Sequence, residues 1–474
     1  MPMYRKKDRN QVSLEDFILP FGGQLNAGNR WVRLSQMMPW DYIEDIYAKS
    51  MCPDNGARAF SARIAFGAIY IKEHENLTDE RTVEYIAENP YMQYFLGLHE
   101  YKDRPLFDSS MMVHFRKRFP AEKVEEINKH MFVAKKETDS RDSGNSDDEP
   151  PSGNKGKLAL DATCAPADIR YPSDLSLLNE ARENTEAIID ELWPQSGRIG
   201  HKTKYHRKKA RSEYLRLAKQ KRPKTAKTRA AIRKQLAYIG YNLEDIGKLL
   251  ANMGIDALQE NRVKRLQTIC ELYRQQRVMH GNSTHQCENR IVSLRQPHIR
   301  PMVRGKAGKR FEFGQKLALS VVSGYTFIER QSFDNFNEGV TLIDSVERYR
   351  ALHGCYPEVV QADQIYRNRE NLAFCKQHGI RLSGPRLGRP GKDVKRDRYL
   401  EYHDRCERNI IEGRNGMSKR RFGLDLIMAV LPETALTEAA LQVLCMNTRV
   451  RLLLRLLFHC RFFSPDFVRF ALFQ

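Results

Sequence analysis

The sequence has no apolar run long enough to span a bilayer, and this removes a membrane-embedded protein from the candidates. Its basic beginning, Met1 to Arg9, is followed by no apolar signal core, so a soluble cytoplasmic protein is expected. Nine cysteines are scattered without a single C-x-x-C pair; that pattern argues for reduced thiols rather than a disulfide framework or a zinc site. Acids are in deficit, 59 against 79 Lys and Arg, for a formal net charge of +20. Such a surplus calls for a polyanionic partner, and nucleic acid ranks ahead of an anionic membrane surface. What remains is ample for folding. With 41% apolar residues over 474 positions, two or three domains with their own cores are expected.

Along the chain, residues 1–136 read as a helical domain. Ser61–Glu75 carries Ile64, Ala65, Ala68, Ile69 and Ile71 at buried-helix spacing. Thr78 is placed to cap a new helix, with Asp79 and Glu80 in its first turn. A basic helix from near Ser109, with Arg116, Lys117 and Arg118 outside, completes a helix-turn-helix-like pattern suited to DNA; an ordinary helical domain fits it equally. Residues 137–156 lose their apolar residues to Ser, Asp, Gly, Asn and Pro and read as a linker. Residues 157–436 read as an α/β domain. It begins with a buried strand, Lys157–Thr163, that carries Asp161. Residues 174–296 look like an insertion, read as a long helical hairpin. Its basic limb, Arg198–Lys234, contains one acid, Glu213, and phosphate contact is the favoured reading of that limb. Strands are then expected at Phe311–Gly314, from Leu317, and after Gly324. They precede a helix Val340–Leu352, a strand Glu358–Asp363, a helix Asn368–His378 and a short strand Ile380–Leu382. A basic Gly/Pro loop, Arg386–Lys395, leads into a helix bearing Glu412, and residues 437–474 form a C-terminal helical segment.

On that helix, Arg405, Arg408, Glu412 and Lys419 fall within one arc. Gly413 and Gly416 cost roughly 1 kcal/mol each relative to Ala, so the helix is expected to weaken before Lys419. One carboxylate among cations suits a metal ion held beside a phosphate. Asp161 and Asp363, each on a strand, are the obvious companions to Glu412. Phosphodiester cleavage at neutral pH is served by two Mg²⁺ ions about 3.5–4 Å apart, and Mg²⁺ takes only one or two protein carboxylates per ion. Other chemistry is poorly supported. His280, His285 and Cys287 are too loosely spaced for zinc, and Gly384–Lys392 lacks the Walker spacing of a phosphate loop.

The combination Leu160-Asp161-Ala162-Thr163, Gln361-Ala362-Asp363 and Arg408-x₃-Glu412-x₆-Lys419 resembles the DDE transposases of bacterial insertion sequences, in the broad IS4/IS5 grouping. The runs Arg304-Gly305-Lys306 through Gln315-Lys316 and Glu88-Asn89-Pro90 through Phe115-Arg116 are similar to that family too. The resemblance implies a ribonuclease H-like catalytic fold with a helical insertion after its first strand. It implies cleavage at element ends with Mg²⁺, or Mn²⁺ in its place, and transfer of the freed 3′-hydroxyl into target DNA. Asp161, Asp363 and Glu412 would be catalytic metal ligands. Arg408, Lys419, Arg304, Lys306, Lys316 and Arg116 would contact DNA. Arg405 stands where the related signature has Tyr, replacing a hydroxyl contact with a charge-assisted one. Partners would be double-stranded DNA, as terminal inverted repeats and as target, and a second copy of the chain, in a nucleoid-associated bacterial setting. Two rival readings share these residues: a transposase-derived DNA-binding protein that no longer cuts, and a ribonuclease H-like nuclease that cuts without joining.

Overall fold

The computed structural model describes residues 3–4, 13–20, 22–52, 56, 58–133, 153–197, 206–303, 311–384 and 398–459. Most of the expected linker, Arg304, Lys306, the loop Arg386–Lys395 and the chain beyond residue 459 lie outside these. The protein is a mixed α/β chain of two compact units. Unit 1 comprises residues 1–166, 315–332 and 336–474; unit 2 comprises residues 167–314 and 333–335. None of the described helices is long and apolar enough to cross a membrane, and the eight described cysteines are free.

Among the described residues, unit 1 begins with seven helices: α1 (Arg30–Met37), α2 (Trp40–Ala48), α3 (Ala62–Glu75), α4 (Asp79–Glu88), α5 (Pro90–Phe95), α6 (Met111–Arg118) and α7 (Ala121–Val133). Polar side chains start several of them. Asn29, Ser61, Thr78 and Asn89 each accept a hydrogen bond from a first-turn backbone N–H, satisfying donors the helix itself leaves open. Trp31 is buried edge-on against Tyr70 and Phe95, and Phe66 against Phe119. The last described helix packs on α3 and α7. Its Thr448 Oγ1 lies 2.7 Å from Tyr70 Oη.

Unit 2 is a helical body. Its helices are α8 (Asp174–Gln195), α9 (Arg207–Ala218), α10 (Thr225–Met253) and α11 (Glu260–Gly281). Ser173 and Ser176 form a reciprocal capping box at the start of α8. Leu178, Leu217, Leu236, Ile239, Ile269 and Leu272 meet in one core. The expected long helical hairpin with a basic limb is, among the described residues, a packing of four helices, each with an apolar stripe to bury.

Six strands form the sheet among the described residues: β1 (Lys157–Pro166), β2 (Arg300–Val303), β3 (Phe311–Val322), β4 (Tyr325–Ser332), β5 (Val359–Gln361) and β6 (Arg381–Leu382). In unit 1 the order is β4-β3-β1-β5-β6. β3 and β4 are antiparallel, whereas β1, β5 and β6 are mutually parallel. Two of the expected strands, Phe311–Gly314 and the run from Leu317, are one strand, β3. Its first residues pair with β2 and its later ones with β4, so continuous partners carry it through Gly314. Ser323 and Gly324 both take positive φ, 51° and 83°, the pair a two-residue hairpin turn requires. The expected helix from Val340 instead opens as a 3₁₀ turn, Glu338–Thr341, before α12 (Leu342–His353).

Side chains of β1 alternate. Leu158 and Leu160 join Val346, Tyr349, Val360, Tyr366, Cys375 and Ile380 in a core against α12 and α13 (Arg369–Gln377). Ala159, on the other face, packs with Val321 and Ile411, and the period of two puts Asp161 on that same face. Ile411 belongs to α14 (Arg398–Phe422), which runs unbroken through Gly413 and Gly416 to Phe422. The expected weakening is overridden by packing of Ile411, Arg414 and Ser418, all buried. The last of the described helices is α15 (Pro432–His459).

Candidate active site

Asp161 is fixed by its strand. Burial pushes its carboxyl up to about 6, and the neighbouring carboxylates of Glu338, Glu412 and Asp363 push the same way. Asn415 Nδ2 of α14 donates to Asp161 Oδ2 at 2.7 Å. Asp363 lies two residues beyond β5 rather than in it. There it opens the 3₁₀ turn Gln364–Tyr366, its Oδ1 accepting from Gln364 N at 2.7 Å. Glu412 is on α14. Arg408, one turn before it, donates through Nη1 to Asp363 Oδ1 at 3.0 Å and through Nη2 to Glu412 Oε1 at 3.2 Å. The Asp363 and Glu412 side chains are 59% and 55% exposed. These pairs are therefore solvent-screened and stabilise by no more than about 1 kcal/mol; their effect is to set geometry.

α14 is held across the sheet by pairs outside the acid group. Glu407 accepts from Lys157 of β1 and Gln361 of β5. Arg381 of β6 makes a two-pronged pair with Asp404 at 2.7 and 2.9 Å. Together they fix the helix over three adjacent parallel strands, and Glu412 comes to stand beside Asp161 and Asp363.

Sequence reasoning missed Glu338 and Asn415. Glu338 sits in a polar stretch where a surface carboxylate is ordinary. It enters the group because its turn packs on the turn after Asp363. A Cβ on Gly339 would come within 2.7 Å of Ile365 O, so only glycine permits that approach. Asn415 was detectable only as a polar residue three positions after Glu412, a spacing that shares its helix face.

The remaining expected site residues fall in different places. Arg405 is exposed on α14, and Lys419 is half-buried on the same helix. Lys316 donates to Glu338 at 2.9 Å and to Phe336 O at 2.9 Å. Arg116 makes a two-pronged pair with Asp79, both bonds at 2.7 Å, with side chains only 14% and 22% exposed. Both cations are thus occupied by protein carboxylates. His285 pairs with Asp174, and His280 with Arg229 O.

The donor chemistry of the acid group fits a hard divalent cation, which prefers carboxylate and amide oxygen. Asp161 lies where positive charge is short, and the buried Oδ1 of its partner Asn415 has no hydrogen-bond donor. Among the described residues, no three acids, histidines or cysteines stand close enough to form a ready-made ligand set. Arg408 supplies the positive charge between Asp363 and Glu412.

Two stretches match known domain families. Residues 360–449 match a "Transposase DDE domain" family and residues 20–118 a "Transposase domain (DUF772)" family. The first stretch contains Asp363, Arg408, Glu412 and Lys419; the second contains Arg116. A curated Rhizobium meliloti protein, "Uncharacterized protein ORF8 in nfe locus", is 29% identical over 157 residues, which is 33% of this chain and 71% of that protein. No solved structure matches the chain. These findings make the chain similar to DDE transposases of insertion sequences and indicate a transposase.

Proposed function

We propose that the chain cuts DNA at insertion-sequence ends and transfers the freed 3′-hydroxyl into target DNA, on a ribonuclease H-like core. The observation that most supports this reading is that Arg408 bonds both Asp363, from the turn after β5, and Glu412, from the helix packed on the sheet, and that these two carboxylates help push up Asp161 on β1. The strand order β4-β3-β1-β5-β6 supports the fold assignment. The two transposase-domain matches support the activity.

Asp161, Asp363 and Glu412 would hold two Mg²⁺ ions, or Mn²⁺ in their place; bound ions supply an activated water and stabilise the leaving oxygen. The chain's own residues do the rest. Asn415 holds Asp161 in one orientation. Arg408 keeps Asp363 and Glu412 side by side and, once these carboxylates have another cation, can turn its guanidinium to a phosphate. Arg405 and Lys419 add positive charge along the same helix for the DNA backbone. Residues 1–136 would recognise the terminal repeat, with Arg116 supporting that domain's structure through Asp79. Two ends must be paired for coordinated cutting, so a homodimer on DNA is expected.

Asp363→Asn tests the assignment. The variant should fold and bind end DNA yet fail to nick it in Mg²⁺ or Mn²⁺; full cleavage would sink the reading. Pre-nicked ends separate the rivals: joining to target DNA marks a transposase, whereas cutting without joining marks a nuclease.

A further inference from the structure

α9 and α10 of unit 2 are antiparallel neighbours. Glu213 of α9 accepts from Lys234 at 2.7 Å and from Tyr238 at 3.3 Å on α10, and Gln235 Nε2 donates to Ala210 O. The connection between them, residues 219–224, therefore forms the tip of a hairpin.

From Tyr214 to Leu243 the chain contains no acid. Arg216, Lys219, Lys221, Arg222, Lys224 and Lys227 are all exposed, and none of them is ion-paired to a carboxylate among the described residues. Several other cations of unit 2 are matched by acids. Lys248 pairs with Glu244, Lys264 with Glu260, Arg274 with Glu271 and Arg262 with Glu191, at 2.6 to 3.1 Å. A merely solubilising surface interleaves signs as those helices do; this tip does not.

The start of α10 adds a second, independent sign. Its N-terminus has no side-chain cap and no acid in the first turn. Lys224 and Lys227 stand there instead, where the helix dipole favours anions and disfavours cations. The local arrangement is unfavourable by itself and becomes favourable when phosphate meets the open N–H groups and the lysines together.

We infer that the α9–α10 tip is a sequence-independent docking surface for the phosphate backbone of duplex DNA. Flexible lysines and a helix N-terminus read charge and not base edges, so the contact suits DNA of arbitrary sequence. The inference rests on the proposed function only in choosing duplex DNA as the polyanion.

The test uses the full chain and a random-sequence duplex lacking any terminal repeat, with affinity followed by fluorescence anisotropy across a salt series. The variant carries Lys219→Gln, Lys221→Gln, Arg222→Gln and Lys224→Gln; circular dichroism checks that it keeps its helices. Each lost phosphate contact lowers the slope of log K against log salt by about 0.9, so the variant's slope should fall by about 3–4. A second variant with Lys219, Lys221 and Lys224 changed to Arg should retain the wild-type slope. An unchanged slope in the Gln variant would overturn the inference, as would a change in oligomeric state without a change in slope, which would make the tip a protein contact. Failure of the wild-type chain to bind any duplex would overturn both this inference and the proposed function. Intact end cleavage with an unchanged Gln-variant slope would overturn this one alone.

Discussion

Replacing Asp161 by Asn should stabilise the metal-free protein while abolishing DNA cleavage. The carboxyl titrates near 3.8 in an unfolded chain and near 6 in the fold, chiefly because β1 buries it. The sign follows directly. Between those values the folded chain binds more protons than the unfolded one, so stability falls as pH rises from about 4 to about 6, and the loss is complete above that window. At about 1.4 kcal/mol per pH unit, the loss is roughly 3 kcal/mol. A carboxamide in place of the carboxylate would keep the shape and could still accept from Asn415 Nδ2, but would carry no charge. Urea unfolding at pH 8 in EDTA should therefore place the Asp161→Asn variant up to roughly 3 kcal/mol above wild type, with the difference vanishing near pH 4. Added Mg²⁺ should stabilise wild type and leave the variant nearly unchanged, since only a ligand that binds the folded state raises its stability. A variant no more stable than wild type at pH 8 in EDTA would refute the claim that this carboxylate is held at a cost.

Two further outcomes follow from side chains distant from the acid group. Arg116→Ala leaves Asp79 half-buried without its partner and should cost about 1.5–3 kcal/mol, read as a lower thermal midpoint; DNA affinity per folded molecule should stay the same if the pair is structural. Asn447→Leu removes three hydrogen bonds at once. The side chain accepts from Thr326 N at 2.9 Å and donates to Thr326 O at 2.7 Å and to Asn128 Oδ1 at 2.9 Å, all in the core. Thr326 O keeps its bond from Asn128 Nδ2 at 3.2 Å, but orphaning Thr326 N and Asn128 Oδ1 should cost about 2–4 kcal/mol, and denaturant unfolding reports it.

Periodic, local signals were legible in the sequence. Thr78 capped the helix it was placed to cap, the apolar spacing of Ser61–Glu75 gave α3, and the apolar run Lys157–Thr163 lay inside β1. What was not legible depends on partners far away in the chain. β3 runs through Gly314 because two different strands pair with its two halves. α14 survives two glycines because three sheet strands and a buried Ile411 hold it. Arg116 and Lys316 looked available for DNA because charge in a sequence does not reveal its counter-charge; Asp79 and Glu338 lie 37 and 22 positions away.

The same distinction separates the two cationic surfaces, one in each unit. Along α14, Arg408 is neutralised by the acids that its helix and the turn after β5 bring to it, so its charge becomes available to DNA only as those carboxylates acquire another cation. At the α9–α10 tip no acid is present in about thirty residues of sequence, where a solubilising surface would have interleaved several. The first surface is conditional on the state of the acid group; the second is not. A DNA-cutting protein built this way would hold duplex in the absence of divalent ions through unit 2 and engage the scissile phosphate only once the ions are bound. Binding of random duplex should accordingly be insensitive to EDTA, whereas protection of the end-proximal phosphates should require Mg²⁺.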